Sequence, residues 1–383
     1  MNANWNYPTN IRVGAGRIKE LRAICAQLGI SRPLLVTVPG LAALPMVDAV
    51  IQHCRAKGLG IACFSQIKPN PTGDNINDGA LAYIAGNHDG VIAMGGGSGL
   101  DAGKAIALIA RQSCSLWELA ESGGNAHHAD ASLIPPVIAV PTTAGTSSEV
   151  GRASLIVNES DRRKVIVVHA AIMPRSVILD PELTIGLPAG LTAATGMDAL
   201  SHNLEAYCSP VFHPMAEGIS MQGIRLVQQF LPRAVSIGKD LDARLQMLVA
   251  STMGATAFQR GLGAMHALAH PLGAVYDAHH GMLNAILMPY VLKANYPAIK
   301  DCIGRLATFI DVGPDFDAFM NWLLATRESI GIPKTLTSII EPDDQFGEIG
   351  EMAVKDPTSG TNPIKFDAAT YQRIATAALN GDL

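Results

Sequence analysis

Along the first half of the chain, continuously apolar runs alternate with helically spaced ones. "PLLVTV" (33–38), "GIACFS" (60–65), "GVIAMGGG" (90–97) and "PPVIAVPTT" (135–143) are largely apolar at successive positions and are bounded by Gly, Pro or polar residues. Such runs predict strands buried on both faces of a sheet. Between them, "MVDAVIQHCRAKG" and "INDGALAYIAGNH" carry apolar residues at helical spacing, with Gly or Asn near their ends. Strands alternating with helices predict a parallel α/β sheet.

After about residue 186 the pattern changes. "PAGLTAATGMDALSHNLEAYCS", "AEGISMQGIRLVQQFLPRAVSIG" and "ARLQMLVASTMGATAFQRG" are rich in Ala, Leu and Met at helical spacing, with little strand signal. The reading is therefore an α/β domain over residues 1–185 and an all-α domain over 186–383, divided near "DPELTIGLP" (180–188). At 383 residues, two domains are also what chain length favours.

Composition narrows the function classes. Lys+Arg 28 against Asp+Glu 33 gives a net charge of −5, which leaves no electrostatic footprint for nucleic acid or an anionic membrane. The six cysteines are scattered without a C-x-x-C pair, as in a reducing cytoplasmic compartment. "MNANWNYPTNIRVG" lacks the basic and apolar regions of a signal peptide, and no segment has the apolar length of a membrane span. A soluble cytoplasmic protein is expected.

Two loops suggest a dinucleotide. In "GVIAMGGGSGLDAGKAIALIA" (90–110), glycines stand between a strand and a helix, where backbone N–H groups and the helix dipole can meet a phosphate. Gly95, Gly96, Gly97 and Ser98 form that candidate cradle; the spacing is neither G-x-G-x-x-G nor a P-loop, so a tight structural turn is the alternative. "PTTAGTSSEV" (141–150) follows another strand and offers Thr142, Thr143, Thr146, Ser147 and Ser148, more hydroxyls than a capped helix needs. Loops at the carboxyl ends of parallel strands usually line one ligand crevice.

Histidine clustering suggests a metal. Four of eleven histidines, His266, His270, His279 and His280, fall within "GAMHALAHPLGAVYDAHHG". "GMDALSH" places Asp198 and His202 four apart on one helix face, and His266 and His270 repeat the spacing. One carboxylate with imidazoles from separate helices suits Fe²⁺ or Zn²⁺. Hydrogen-bonded core histidines are the alternative, but four together would leave many ring nitrogens without partners. His53, His88, His127, His128, His169 and His213 fit that ordinary role.

These segments together resemble the iron-containing (group III) alcohol dehydrogenases. "PNPT" (69–72), "GGGSGLDAGKA" (95–105), "PTTAGTSSEV" (141–150), "AATGMDALSHNLEAY" (193–207), "GLGAMHALAHPLGAVYDAHHG" (261–281) and "NP" (362–363) occur in the family's order over nearly the whole chain. The resemblance implies a Rossmann-like dinucleotide-binding domain, a helical domain as in the dehydroquinate synthase-like architecture, and a metal in the cleft between them. It implies Asp198, His202, His266 and His280 as ligands, and His270 as a nearby residue that relays the alcohol proton or orients a ligand. His279 stands where many relatives have Pro and is left outside the site.

On the cofactor side the resemblance places Asn70, Asp101 and Lys164 beside the glycine and hydroxyl loops. For Asp101 the helix dipole, and for Lys164 solvent, are the ordinary explanations. Where many relatives have an acidic residue that favours NAD, "TVPGL" puts Val38, which predicts use of NADP as well as NAD. Around the substrate the resemblance places Ala153, Phe258 and Thr358, a small apolar pocket. Arg260, or Arg152, is expected to meet an acidic group on a short aldehyde such as succinic semialdehyde; surface arginines are the alternative.

The implied function is hydride transfer between a nicotinamide and a small alcohol or aldehyde, with the metal as Lewis acid. A homo-oligomer, by resemblance a dimer, is expected. Two other classes remain: a metal-dependent lyase of the dehydroquinate synthase type, which would need a Lys/Arg-rich pocket not found here, and a nucleotide-binding module without catalysis.

Overall fold

The structure is a computed structural model that describes residues 9–120, 128–160 and 163–383. Internal contacts divide them into two compact units, residues 9–143 with 147–185 and residues 144–146 with 186–383. His127 lies outside the described residues.

The first unit contains strands β1 (Asn10–Val13), β2 (Pro33–Val36), β3 (Ala62–Phe64), β4 (Gly90–Gly95), β5 (Val137–Pro141), β6 (Ala153–Asn158), β7 (Arg163–Val168) and β8 (Ser176–Leu179). Six form a parallel sheet in the order β1-β8-β5-β4-β2-β3. Its registers include Leu34 against Val91, Val91 against Val137 and Ala139 against Val177. β2, β4 and β5 are buried throughout, as their unbroken apolar sequences require.

Alternation along β4 assigns the two faces. Ile92 and Met94 pack with Leu21 and Ile24 of α1 (Leu21–Gln27) and with Val47 and Val50 of the helix Pro45–Ala56. That helix is α3, preceded by the single turn α2 (Pro39–Ala42). Ala93 points the other way, toward Gly103 of α5 (Gly97–Ile109), which in turn packs on α4 (Gly73–Ala85).

β1, β8 and the antiparallel β6–β7 hairpin are not anticipated from the sequence. β1 and β8 are four residues each, and the first mixes Asn and Arg with Ile and Val, too short and too polar for a periodic signal.

The second unit is helical among its described residues: α6 (Ala189–Cys208), α7 (Pro214–Ser236), α8 (Leu241–Ala257), α9 (Ala264–Tyr276), α10 (His280–Phe309), α11 (Phe316–Ser329), α12 (Ile349–Lys355) and α13 (Ala368–Asn380). Its core gathers Met197, Leu200 and Leu204 of α6 with Leu231, Met247, Leu268 and Leu287. α6 is buried on every side from Thr192 to Tyr207. A helix in that position is normally apolar all round, yet α6 carries Asp198, Ser201, His202, Asn203 and Glu205. Each must find partners inside the protein. No described helix is long and apolar enough to cross a membrane.

Candidate metal centre and nucleotide loops

The polar residues of α6 converge with those of α9 and α10. Asp198 and His202 share a helix face, and His266 of α9 joins them, so that one ligand atom from each lies within 4.8 Å of the others. All three side chains are buried. His280 opens α10 and places its Nε2 3.7 Å from Asp198 Oδ1. The next residue must be small: a Cβ on Gly281 would come within 2.5 Å of the Ala194 carbonyl oxygen on α6.

Hydrogen bonds fix which ring nitrogens face inward. His202 Nδ1 donates to the Gly145 carbonyl at 3.1 Å, and His266 Nδ1 lies 2.6 Å from Glu205 Oε2. Occupied Nδ1 atoms leave Nε2 lone pairs for a metal, the usual arrangement around a ligating imidazole. Burial, helped by His202, holds His266 well below the ordinary imidazole range. Burial also pushes the Glu205 carboxyl up to about 7, against the hydrogen bonds from the Met265 and Gly263 N–H groups.

Asn284, one turn beyond His280, tests whether this donor set fits a cation. Its Nδ2 lies 2.9 Å from Asp198 Oδ1, 3.3 Å from His266 Nε2 and 3.2 Å from His280 Nε2. Two amide hydrogens face three lone pairs, while Asn284 Oδ1 is buried without a hydrogen-bond partner among the described residues. The site thus has more inward lone pairs than protein donors can satisfy. One carboxylate and imidazole nitrogens fit a divalent transition metal such as iron or zinc.

His270 lies beside these residues. Its ring is stacked on His280 at 5.4 Å, and its Nδ1 is 2.8 Å from Asp356 Oδ2. Thr358 donates its N–H and hydroxyl to Asp356 Oδ1 at 2.9 and 2.6 Å. Burial alone would raise the Asp356 carboxyl, but the bonds from His270 and Thr358 hold it below its ordinary value. The Phe258 ring stands 5.4 Å from that of His202. His279 is the cap of α10, accepting from the Met282 N–H at 3.4 Å.

Arg260 corrects an expectation. Its Nε, Nη1 and Nη2 donate to the carbonyls of Val211, Tyr207 and Ser209 at 2.9, 3.1 and 2.7 Å, and Nη1 lies 3.3 Å from Glu217. The buried guanidinium closes the C-terminal end of α6, where helix carbonyls lack partners, and is not presented to a substrate.

The nucleotide loops meet within the first unit. β2 leads away toward β3 and its neighbour β4 toward β5, so the carboxyl ends of β2 and β4 mark the point where the strand order reverses, the usual ligand crevice. Gly95 ends β4 at φ +146°, a conformation glycine adopts freely. Gly96 and Gly97 open α5 beside Thr143, whose hydroxyl is buried without a described partner, and the Thr142 N–H donates to the Gly95 carbonyl at 2.9 Å. Ser98 donates to the Pro69 carbonyl, drawing the loop with Asn70 against the glycines. Val38 follows β2, half-buried, as the cap of α2. An orphaned hydroxyl beside a glycine turn at a helix start fits a dinucleotide phosphate.

The other expected cofactor residues have the following places in the fold. Asp101 accepts from the Ser148 hydroxyl and from the Leu155 N–H at 3.2 Å. It also pairs with Lys104 Nζ at 3.3 Å. Ser147 is buried in a left-handed turn at φ +61°, Thr146 belongs with the helical unit, and Lys164 sits on β7 opposite Val157. Ala153 starts β6, its carbonyl accepting from the buried Lys104.

Glu205, Asn284, Asp356 and Lys104 are not singled out by the sequence reading. Glu205 carries a usable signal, a carboxylate three residues from His202 on an Ala- and Leu-rich helix, and Asn284 stands four residues from His280. Asp356 gives none, since its contact with His270 spans 86 residues.

The pattern of the iron-containing alcohol dehydrogenases matches residues 8–181, and that of the Fe-containing alcohol dehydrogenase family, C-terminal, matches 192–379. The chain is 39% identical over 378 residues to the 4-hydroxybutyrate dehydrogenase of Cupriavidus necator, covering 96% of this chain and 97% of that one. A solved 1,3-propanediol oxidoreductase superposes with a TM-score of 0.92 at 33% identity, over 99% of this chain and 100% of that one. The sulfoacetaldehyde reductase of Bifidobacterium kashiwanohense, solved with NAD+, gives 0.90 at 27% identity, over 99% of each chain. The chain belongs to the iron-containing alcohol dehydrogenase family, the metal-dependent oxidoreductases that act on CH–OH groups with a nicotinamide cofactor.

Proposed function

We propose that this chain interconverts a short primary alcohol and its aldehyde, the substrate bearing an acidic group at its far end, with Asp198, His202, His266 and His280 holding the metal. The convergence of Asp198, His202 and His266 within 4.8 Å, with the Nδ1 atoms of both histidines engaged, is the observation that carries the ligand set. A divalent metal bound there supplies Lewis acidity, lowering the pKa of an alcohol or polarising an aldehyde.

The chain's own residues do the rest. The loops at Gly95–Ser98 and Thr142–Ser148 would hold the dinucleotide, which would supply the hydride acceptor for alcohol oxidation and the donor for aldehyde reduction. Oxidation releases one hydride and one proton. His270, committed at Nδ1 to Asp356, accepts that proton at Nε2 and returns it in the reverse direction. NAD is the cofactor, and Val38, having no charge to repel a 2′-phosphate, leaves NADP acceptable too.

The acidic substrate is supported by two relatives, one named for 4-hydroxybutyrate and the other for sulfoacetaldehyde. With Arg260 committed to α6, Arg152 takes the role: it is exposed, and no described residue pairs with its guanidinium. Phe258, whose ring stands beside His202 in the helical unit, is the apolar residue assigned to the substrate. The scattered free cysteines support a cytoplasmic setting, and the family resemblance supports a homo-oligomer. Nicotinamide absorbance with succinic semialdehyde against butanal is the test. At least tenfold higher kcat/KM for the semialdehyde is expected; equal values eliminate the acidic substrate, and turnover without net redox change eliminates the dehydrogenase.

A further inference from the structure

Glu205 joins two helices at one carboxylate. Its Oε2 accepts from the Gly263 N–H at 2.9 Å and Oε1 from the Met265 N–H at 2.7 Å, at the cap and first turn of α9. Those amides have no partner within the helix, and they attract negative charge. The same Oε2 lies 2.6 Å from His266 Nδ1. Asn284 Nδ2, which can only donate, faces His266 Nε2 at 3.3 Å, so the ring proton stands on Nδ1 and is given to Glu205.

A buried carboxylate need not serve a ring. Asp180 accepts from the N–H groups of Gly16, Ile18 and Glu182, and its hydrogen bonds are purely architectural. Glu205 uses the same geometry at α9 but adds the imidazole. Its position on α6, seven residues after Asp198 and three after His202, ties both helices to one proton position.

We propose that Glu205 is a positioning residue of the metal centre, which fixes the His266 proton on Nδ1 and so keeps Nε2 as a lone pair directed toward Asp198 and His202. This rests on the reading of His266 as a ligand. Neutral imidazole can carry its proton on either nitrogen, and a proton on Nε2 would remove the ligand. Gln at this position has one amide orientation that opposes the Met265 N–H and another that opposes the Gly263 N–H and His266. Either way it loses a bond and the negative charge that makes the ring a better donor.

Nitrogen NMR of the metal-free wild-type protein reads the tautomer directly. The Nδ1–H form of His266 is expected; the Nε2–H form overturns the proposal without any variant. Zinc affinity, measured by competition with a chelator, should then fall ten- to hundredfold in Glu205→Gln while NAD binding is unchanged. Unchanged zinc affinity in Glu205→Gln, with a weakened His266→Ala, overturns the role of Glu205 alone. Wild-type affinity in His266→Ala overturns the ligand reading beneath it.

Discussion

The Nδ1 of His202 donates to the backbone carbonyl of Gly145 at 3.1 Å, although the two residues are 57 apart in sequence. The loop segment Ala144–Thr146 thereby becomes part of the helical unit and aims the His202 ring. Only glycine fits there, since a Cβ would lie 2.7 Å from the Thr195 carbonyl oxygen and 2.8 Å from Thr195 Cβ. Gly145→Ala should displace this carbonyl and weaken metal binding by about tenfold to a hundredfold, the usual cost of losing a residue that orients a ligand. Chelator competition checks it; unchanged affinity would show that His202 needs no carbonyl to hold its tautomer.

Val38 should govern cofactor choice. It follows β2, next to the glycine loop, where a carboxylate would repel a 2′-phosphate. Val38→Asp should shift preference from NADP(H) toward NAD(H) by about 1–3 kcal/mol, read as the ratio of kcat/KM values. A wild type that already prefers NAD a hundredfold, and a variant that does not differ from it, would show that the residue does not face the ribose.

The two arginines should separate cleanly. Arg152→Gln should raise KM for succinic semialdehyde at least tenfold while leaving butanal unaffected, because a charge-assisted bond is lost only with the acid. Arg260→Ala orphans the carbonyls of Tyr207, Ser209 and Val211 and should cost about 3 kcal/mol of stability in chemical denaturation. A stable Arg260→Ala with selective loss of the acidic substrate would reverse the assignment.

How far the sequence reaches is visible in these same residues. Asp198 and His202 are legible because helical spacing brings them to one face, and His266 and His280 stand out only through the clustering of histidines and the family resemblance, while the strands β2, β4 and β5 are legible because burial on both faces leaves unbroken apolar runs. Arg260 is misread for a physical reason: its partners are backbone carbonyls at a helix end, which leave no trace in residue types. Lys104 escapes notice likewise, its Nζ donating to the carbonyls of Ser148, Gly151 and Ala153. The β6–β7 hairpin is missed because, in β6, a buried Ser154 interrupts the apolar alternation.

Asp356 gives a pH signature. Its folded pKa is depressed, so the stability it contributes is present above the ordinary carboxylate range and is lost as pH falls through the folded value. Asp356→Asn should flatten the acid side of the stability profile and, by loosening His270, lower kcat by about tenfold to a hundredfold. An unchanged kcat would remove His270 from the proton path.

Metal content and turnover measured together, in wild type and in the His202→Ala, His266→Ala and His280→Ala variants purified without added metal, bear most directly on the ligand set. Wild type should carry about one iron or zinc per chain, and each variant should lose the metal and nearly all alcohol oxidation while still binding NAD. A His266→Ala enzyme that keeps its metal and full activity would contradict the assignment.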